Sequence, residues 1–183
     1  WENRKLKSQV ARYLANGYAS ISYEDSARHY IDVVLNETEN YGSSKVLGTT
    51  YNQLGYCYWS LNDTTKMLEA FLIADSITNE LGYNAERINV LRRLATSLII
   101  MGDYERGIHY ILKSIPLAEL LEEYTEKIKL QLFLGHIYSS LFEYDKAEEI
   151  LLANAQAINE LPDTEHKIIL KAQNNRSLGH VYG

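Results

Sequence analysis

Leucine recurs at a fixed interval of forty residues along this chain. Leu14, Leu54, Leu94 and Leu134 keep that interval, and Leu178 follows after forty-four residues. A period of roughly 20 to 50 residues is typical of chains that stack copies of one supersecondary unit, because a single unit cannot bury its apolar face alone. The interval of these marker leucines therefore predicts a repeat array.

The composition predicts one soluble folded domain. Of 183 residues, 46% are hydrophobic and 23% are charged, so the chain has enough apolar material for a core. Only two prolines occur and the ten glycines are dispersed, so no linker divides the sequence. We expect a single array with repeats at roughly 4–43, 44–83, 84–123 and 124–163, and a partial fifth repeat at 164–183.

Each full repeat is predicted to hold two helices joined by a tight turn. In repeat 2 the apolar positions recur at helical spacing in two blocks, namely Leu47, Tyr51, Leu54, Gly55 and Tyr58, then Met67, Ala70, Phe71 and Ala74. Between the blocks, Asn62-Asp63-Thr64 supplies turn and helix-capping chemistry. Small residues after the marker leucines are expected where the two helices touch.

Four tyrosines share one place, four residues after a marker leucine, and are expected in the core: Tyr18, Tyr58, Tyr138 and Tyr182. The single cysteine, Cys57, is expected to be buried and unreactive. One cysteine excludes an internal disulfide framework, which leaves cytoplasm and periplasm both open. There is no apolar run of about 20 residues and no signal peptide. The start without Met and the incomplete last repeat predict a fragment of a longer protein.

These residues resemble the tetratricopeptide repeat family. The resemblance lies in Leu54-Gly55-x-x-Tyr58, in the turn Leu61-Asn62-Asp63, and in Phe71 with Ala74. The sequence departs from the family where it usually has Trp, since Tyr51, Leu91 and Gln131 stand there. Its repeat is also longer than the family's common thirty-four residues.

The resemblance implies an all-α fold, a right-handed superhelix of antiparallel helix pairs whose first helices line the concave side. The long repeat is similar to that of bacterial regulatory and peptide-sensing proteins. This similarity implies a sensory or scaffolding part of a signalling protein, such as a transcriptional regulator. The motif indicates the fold and leaves the ligand open.

The resemblance also implies which first-helix positions face the concave groove, at fixed offsets from each marker leucine. Five cations and no anions occupy these positions, although the chain has 18 Lys plus Arg against 24 Asp plus Glu and a net charge of −6. A cationic groove favours an acidic protein segment or a peptide carboxylate. The candidate ligand-binding residues are Arg12, Asn16, Asn52, Tyr56, Trp59, Arg92, Arg93, Thr96, Lys129, His136, Arg176 and His180.

Part of this set resembles the carboxylate clamp that some tetratricopeptide domains use. Arg12, Asn16 and Arg93 match the clamp, whereas Tyr56 and Asn89 depart from it, so the sequence does not predict a receptor for chaperone tails. A second interpretation stays open, in which the array only spaces or dimerises other domains. In that case a further helix of the same protein fills the groove.

Other function classes lack the residues they need. The chain has no Gly-rich phosphate loop, no His-Glu-x-x-His, no cysteine pair and no nucleophile elbow, so we expect neither catalysis nor a cofactor. His136 and His180 hold equivalent places, but no neighbouring carboxylate or thiolate completes a metal site, and we interpret them as polar groove residues. His29 and His109 are expected at the surface. The acidic net charge argues against nucleic acid as a partner.

Overall fold

The structure, a computed structural model, describes residues 2–38 and 44–183, with side chains from residue 6 onward. In these ranges it is all-α, without a strand. The helices are α1 (Glu2–Ser20), α2 (Glu24–Thr38), α3 (Lys45–Ser60), α4 (Thr64–Glu80), α5 (Asn84–Ile100), α6 (Tyr104–Leu120), α7 (Tyr124–Ser140), α8 (Tyr144–Glu160) and α9 (Glu165–Tyr182). Each full repeat supplies one pair of helices, and α9 is the first helix of repeat 5. The predicted boundary after residue 43 lies outside the described residues.

The chain divides into two compact halves, Trp1–Leu94 and Ala95–Gly183, so α5 contributes to both. In the N-terminal half, α1 packs on α2 and α3, and α3 packs on α4. In the C-terminal half, α7 packs on α6, α8 and α9, and α8 also packs on α9. Within each half, helices contact their near neighbours in sequence, as a repeat array requires.

The turns between helices share one backbone geometry. A residue with positive φ ends each of six helices, at Ser22, Asn62, Gly82, Gly102, Glu122 and Phe142, with φ between 56° and 84°. The N–H of the next residue donates to a carbonyl of the preceding helix five positions back, as Asp63 does to Tyr58 at 2.9 Å. This left-handed ending satisfies carbonyls that the helix leaves open. The predicted turn at Asn62-Asp63-Thr64 is confirmed.

In the described ranges, short polar side chains cap the beginnings of four helices. Ser44, Asp63, Asp103 and Thr164 each accept a hydrogen bond from the main-chain N–H three residues later, at 3.2 or 3.3 Å. These bonds satisfy one of the donors that a helix start leaves open. The caps fix where α3, α4, α6 and α9 begin, and so fix the residues that each helix presents.

The core follows the marker leucines. Leu54, Leu94 and Leu134 are buried, while Leu14 in repeat 1 and Leu178 in repeat 5 are half-buried. The stripe of Met67, Ala70, Phe71 and Ala74 is buried as predicted. Gly55 follows a marker leucine, and a Cβ added there would lie 2.5 Å from the ring of Phe71. The small residue is therefore required by the close approach of α3 and α4.

The expectation for the four tyrosines is only partly correct. Tyr58 is buried, and Tyr18 and Tyr138 are half-buried. Tyr182 is 64% exposed, so its predicted core position is wrong. In the full repeats a second helix follows this position, whereas Tyr182 is the last residue of α9 and instead donates its hydroxyl to Glu148 Oε1 at 2.5 Å.

Candidate functional site

Three first-helix segments in the N-terminal half carry a connected set of polar and aromatic groups, which we call the α1–α3–α5 row. It begins with Asn16 of α1, whose Nδ2 donates to Gln53 Oε1 of α3 at 3.4 Å. The Oδ1 of the same amide accepts the thiol hydrogen of Cys57 at 3.0 Å. Asn16 is half-buried, so its amide holds α3 beside α1 and still reaches the surface.

The middle of the row differs from the prediction at Asn52. Asn52 is only 3% exposed. Its Nδ2 donates to Glu86 Oε1 of α5 at 2.9 Å. The Oδ1 is buried as well. Asn52 therefore holds the half-buried Glu86 in position. It is too deeply buried to face a ligand, contrary to its predicted place in the groove.

The α5 end of the row contains a stacked cation. The guanidinium of Arg93 lies 5.3 Å from the centre of the Tyr56 ring, which is a cation–π distance. Burial lowers the pKa of Arg93, and the neighbouring positive charge of Arg92 lowers it further, while Tyr56 and Glu86 oppose that shift. An arginine stays charged in proteins, so Arg93 remains a cation beside the Tyr56 ring.

The α1 end of the row has the same combination of cation and ring. The guanidinium of Arg12 lies 5.6 Å from the centre of the Tyr13 ring. Tyr13 is 69% exposed, and the predicted groove residues Tyr56 and Trp59 are also exposed. The row therefore presents three accessible aromatic rings on α1 and α3, with a guanidinium against two of them.

The C-terminal half holds the other predicted site residues. Lys129 pairs with Glu126 at 3.5 Å, Arg176 and His180 are exposed, and Thr96 is half-buried on α5. The Nε2 of His136 lies 3.0 Å from Ser177 Oγ of α9. Because the Ser177 hydroxyl donates to the Gln173 carbonyl at 3.0 Å, we assign the His136 ring as a neutral Nε2–H tautomer that donates to Ser177.

The surroundings of His136, an exposed residue, favour the neutral form of its ring. Burial lowers its pKa, and the nearby His180 lowers it further. His136 and His180, predicted to face each other from equivalent places, are thus electrostatically coupled between α7 and α9. Among the described residues no three His, Cys, Asp or Glu side chains cluster as metal ligands.

Sequence reasoning missed the carboxylates of the site. Glu86 and Glu126 both lie eight residues before a marker leucine, in the first turns of α5 and α7, and each contacts a predicted groove residue. The sequence analysis found no anions in the groove because it counted only the positions that the family assigns to the groove. The shared offset of these two glutamates was visible in the sequence and could have indicated them.

Comparison with known proteins supports the repeat. The tetratricopeptide repeat family model matches residues 48–80 and 128–153, in repeats 2 and 4. These segments are tetratricopeptide repeats, and the resemblance seen in the sequence is confirmed. No curated protein sequence matches this chain.

Solved structures support the fold over nearly the whole chain. Nearly identical TPR-like repeats of a Podosopora anserina protein described as a kinesin light chain are 13% identical, with a TM-score of 0.75 over 95% of this chain and 87% of that one. A single-substitution variant of that protein gives 0.76 over the same shares, again at 13% identity. BtubC (BKLC) from P. vanneervenii is 14% identical, with a TM-score of 0.60 over 98% and 85%.

The predicted fold class, an all-α tetratricopeptide solenoid of helix pairs, is therefore confirmed. This fold is that of a protein–protein interaction or scaffold module, and proteins of this repeat type are generally binding modules without catalysis. None of the described helices is long and apolar enough to cross a membrane.

Proposed function

We propose that this chain is a non-catalytic peptide-binding module that holds an acidic or carboxylate-bearing segment of a partner protein on its first helices. The observation that carries the proposal is the α1–α3–α5 row. There, Arg12 and Arg93 each lie against an aromatic ring. The side chain of Asn16 joins α1 to α3 by a hydrogen bond. Cations and rings together suit a peptide with a carboxylate beside an apolar side chain.

The charges of the row favour an anion. Arg93 is half-buried and has the positive charge of Arg92 beside it, which lowers its pKa. A carboxylate from a partner would offset this repulsion and could accept two parallel N–H bonds from a guanidinium. Glu86 of the chain already interacts favourably with Arg93, but Asn52 holds its carboxylate by a hydrogen bond. The ligand carboxylate would therefore add to Glu86 and need not replace it.

The rings of the row supply the apolar part of the proposed contact. Tyr13, Tyr56 and Trp59 are each more than a third exposed, and Arg, Tyr and Trp are the residues that most often dominate binding energy at interfaces. An aromatic ring offers a large contact area at little cost in side-chain entropy. We infer that the partner segment lays at least one apolar side chain on these rings.

Calorimetric titration with an acidic peptide tests the row. The variant Arg92→Glu/Arg93→Glu should bind at least about 100-fold more weakly, because two attractive charges become repulsive. The matched control Lys66→Glu/Lys113→Glu changes the net charge equally at exposed positions on the second helices α4 and α6, and it should bind about as the wild type does. Unchanged affinity of the arginine variant would show that the peptide does not bind at the α1–α3–α5 row.

Two variants of the peptide separate the two forms of the proposal. A peptide with internal glutamates and an amidated C-terminus tests an acidic segment, and a neutral peptide with a free C-terminus tests a terminal carboxylate. Binding of the wild type should weaken as salt is raised, since exposed charges are screened. Equal binding of a peptide without any carboxylate would contradict both forms.

We also propose that Lys129, His136, Arg176 and His180 contact a ligand within the C-terminal half. The place of the module in a larger bacterial regulator rests on family resemblance alone. The alternative is a spacer or dimerisation array whose groove is filled by a further helix of the same protein. The complete natural coding sequence tests both. A downstream DNA-binding or kinase segment would support the regulator, and a groove-filling amphipathic helix would support the spacer.

A further inference from the structure

A pocket of about 310 Å³ lies between α7 and α8, on residues that the proposed peptide site does not use. One face of α7 and one face of α8 form its walls. The lining residues are Tyr124, Lys127, Ile128, Gln131, Ala153, Ala157, Glu160 and Leu161. Ligand pockets in proteins usually begin near 300 Å³, so this volume is sufficient for a small group such as one ring.

The other repeats explain why repeat 4 has room at this place. Residues 80 positions earlier are the equivalents in repeat 2, where Tyr51 stands for Gln131 and Ile73 for Ala153. A third exchange, Ile77 for Ala157, is compensated, because repeat 2 has Gly48 where repeat 4 has Ile128. Ile77 indeed fills the space beside Gly48, lying 3.2 Å from where a Cβ would stand. Gln131 and Ala153 are thus smaller than Tyr51 and Ile73 at the equivalent places, while Tyr124, which stands where repeat 2 has Ser44, is 57% exposed.

Contacts on both sides of the pocket fix the two helices. Asn154 Nδ2 of α8 donates to the Ile128 carbonyl of α7 at 3.4 Å. Two turns farther along α7, a Cβ added at Gly135 would lie 3.0 Å from Leu151, so the helices already touch there. A gap left by small side chains persists when its surroundings cannot relax into it. The spacing of α7 and α8 is therefore set by contacts that do not depend on the pocket side chains.

The walls define the chemistry of a fitting group. Ile128, Ala157 and Leu161 supply an apolar interior, and the first two pack in or against the same buried cluster as Leu151. The half-buried amide of Gln131 and the ammonium of Lys127, which lies 2.6 Å from Glu119 Oε1, supply polar groups at the wall. Tyr124 places an exposed ring at the pocket. An aromatic ring with one hydrogen-bonding edge matches this combination.

We propose that this pocket binds a single phenol- or indole-like aromatic ring beside Gln131 and Ala153, where repeat 2 has the larger Tyr51 and Ile73. The ring could be a side chain of a partner protein or a free aromatic compound, because both present the same chemistry. The site is independent of the α1–α3–α5 row, since all its residues lie in the C-terminal half.

Titration of the full chain with p-cresol, the tyrosine side-chain analogue, tests the pocket. The probe should shift the NMR methyl signals of Ile128 and leave those of Ile31 in α2 unchanged. The variant Gln131→Tyr/Ala153→Ile transplants the repeat 2 residues, and it should bind p-cresol at least about tenfold more weakly while melting at a higher temperature. Absence of a shift in the wild type, or equal affinity in the transplanted variant, would overturn the proposal.

Two controls keep the test decisive. Gln156→Tyr adds the same ring on the exposed surface of α8, away from the lining residues, and should leave the affinity unchanged. If the double variant does not fold, Ala153→Met alone narrows the pocket and should weaken binding. The capped peptide Gly-Tyr-Gly is titrated separately. If both p-cresol and the peptide bind, the source of the ring is a protein side chain; if only p-cresol binds, the source is a free compound.

Discussion

Asn16 Oδ1 accepts the thiol hydrogen of Cys57 across 3.0 Å and so joins α1 to α3. Cys57 is fully buried, and burial raises the pKa of its thiol to about 12, against the opposing effects of a main-chain hydrogen bond and of Arg12. The predicted burial of Cys57 is confirmed. Because the thiolate is the reactive form, this cysteine is unreactive both because reagents cannot reach it and because little of it is ionised.

We expect Cys57 to react with a disulfide reagent only when the N-terminal half opens. At pH 8 the labelling of the native chain should be at least about 100-fold slower than labelling in denaturant, since thiolate content and access are both reduced. Absorbance of the released reagent measures the rate. The variant Cys57→Ser/Ser20→Cys places the thiol on the exposed end of α1 and should label rapidly, whereas equal rates for the two chains would contradict the buried thiol.

Gly55→Ala should destabilise the chain by about 1 to 3 kcal/mol, because the added methyl overpacks against the buried ring of Phe71. Gly179 holds the same place after Leu178 in α9, yet nothing lies within 4 Å of a Cβ added there. Gly179→Ala should therefore stabilise its helix by roughly 0.5 to 1 kcal/mol. Denaturant unfolding measures both, and a stabilising effect of Gly55→Ala would show that α3 and α4 are not in close contact at Gly55.

Leu94→Ala should cost roughly 2 to 5 kcal/mol, because Leu94 is 1% exposed and truncation leaves a cavity. Leu178 is half-buried beside the cluster that contains Leu170, so Leu178→Ala should cost about 1 kcal/mol. Thermal unfolding of the two variants checks the order. Equal melting temperatures would contradict the burial ranking of the marker leucines.

Phe142→Gly should stabilise the chain by about 0.5 to 1 kcal/mol. Phe142 has a φ of 61° and a 78% exposed side chain, so it bears the cost of a left-handed conformation and buries little. The change also removes an edge contact with the Tyr144 ring, at 6.1 Å between centroids, and this loss offsets part of the gain. The reciprocal variant Gly102→Ala, at the equivalent turn, should lose about 1 kcal/mol. A loss of stability in Phe142→Gly would mean that the ring contact outweighs the backbone strain.

The stability of the C-terminal half should fall as pH drops below about 6.5, the ordinary pKa of histidine. The folded state lowers the pKa of His136 through burial and the nearby His180. The unfolded chain therefore binds the proton more readily, and stability rises with pH across the interval between the two values. His136→Gln keeps a donor for Ser177 and should show a smaller loss of Tm between pH 7.5 and 5.5. An identical loss would assign the pH dependence to other groups.

The parts of this molecule that repeat were predictable, and the parts that differ between repeats were not. The spacing of the marker leucines predicted the helix pairs, and the Asn62-Asp63 dipeptide predicted a turn, because each acts through local geometry. The burial of Asn52 was missed, since it depends on Glu86 from the next repeat. Tyr182 was missed because its place in the core depends on a helix that follows it in the full repeats.

The pocket shows the same limit from another side. Gln131 was recognised as a departure from the family, but one substitution does not reveal a gap. The gap follows from Gln131 and Ala153 together, on two helices whose contacts fix their spacing. Pairs of this kind become visible only when both chain segments are seen in three dimensions.

The left-handed residue that ends six of the helices has a practical consequence for engineering. Because the backbone leaves each turn in the same way whether the residue is Ser, Asn, Gly, Glu or Phe, the turn geometry does not depend on one side chain. Junctions at Gly82 and Glu122 should therefore serve as cassette boundaries. A gene that duplicates the segment between them would lengthen the protein by one repeat. Each helix beside the insertion would then be followed or preceded in sequence by the same helix as in the natural chain.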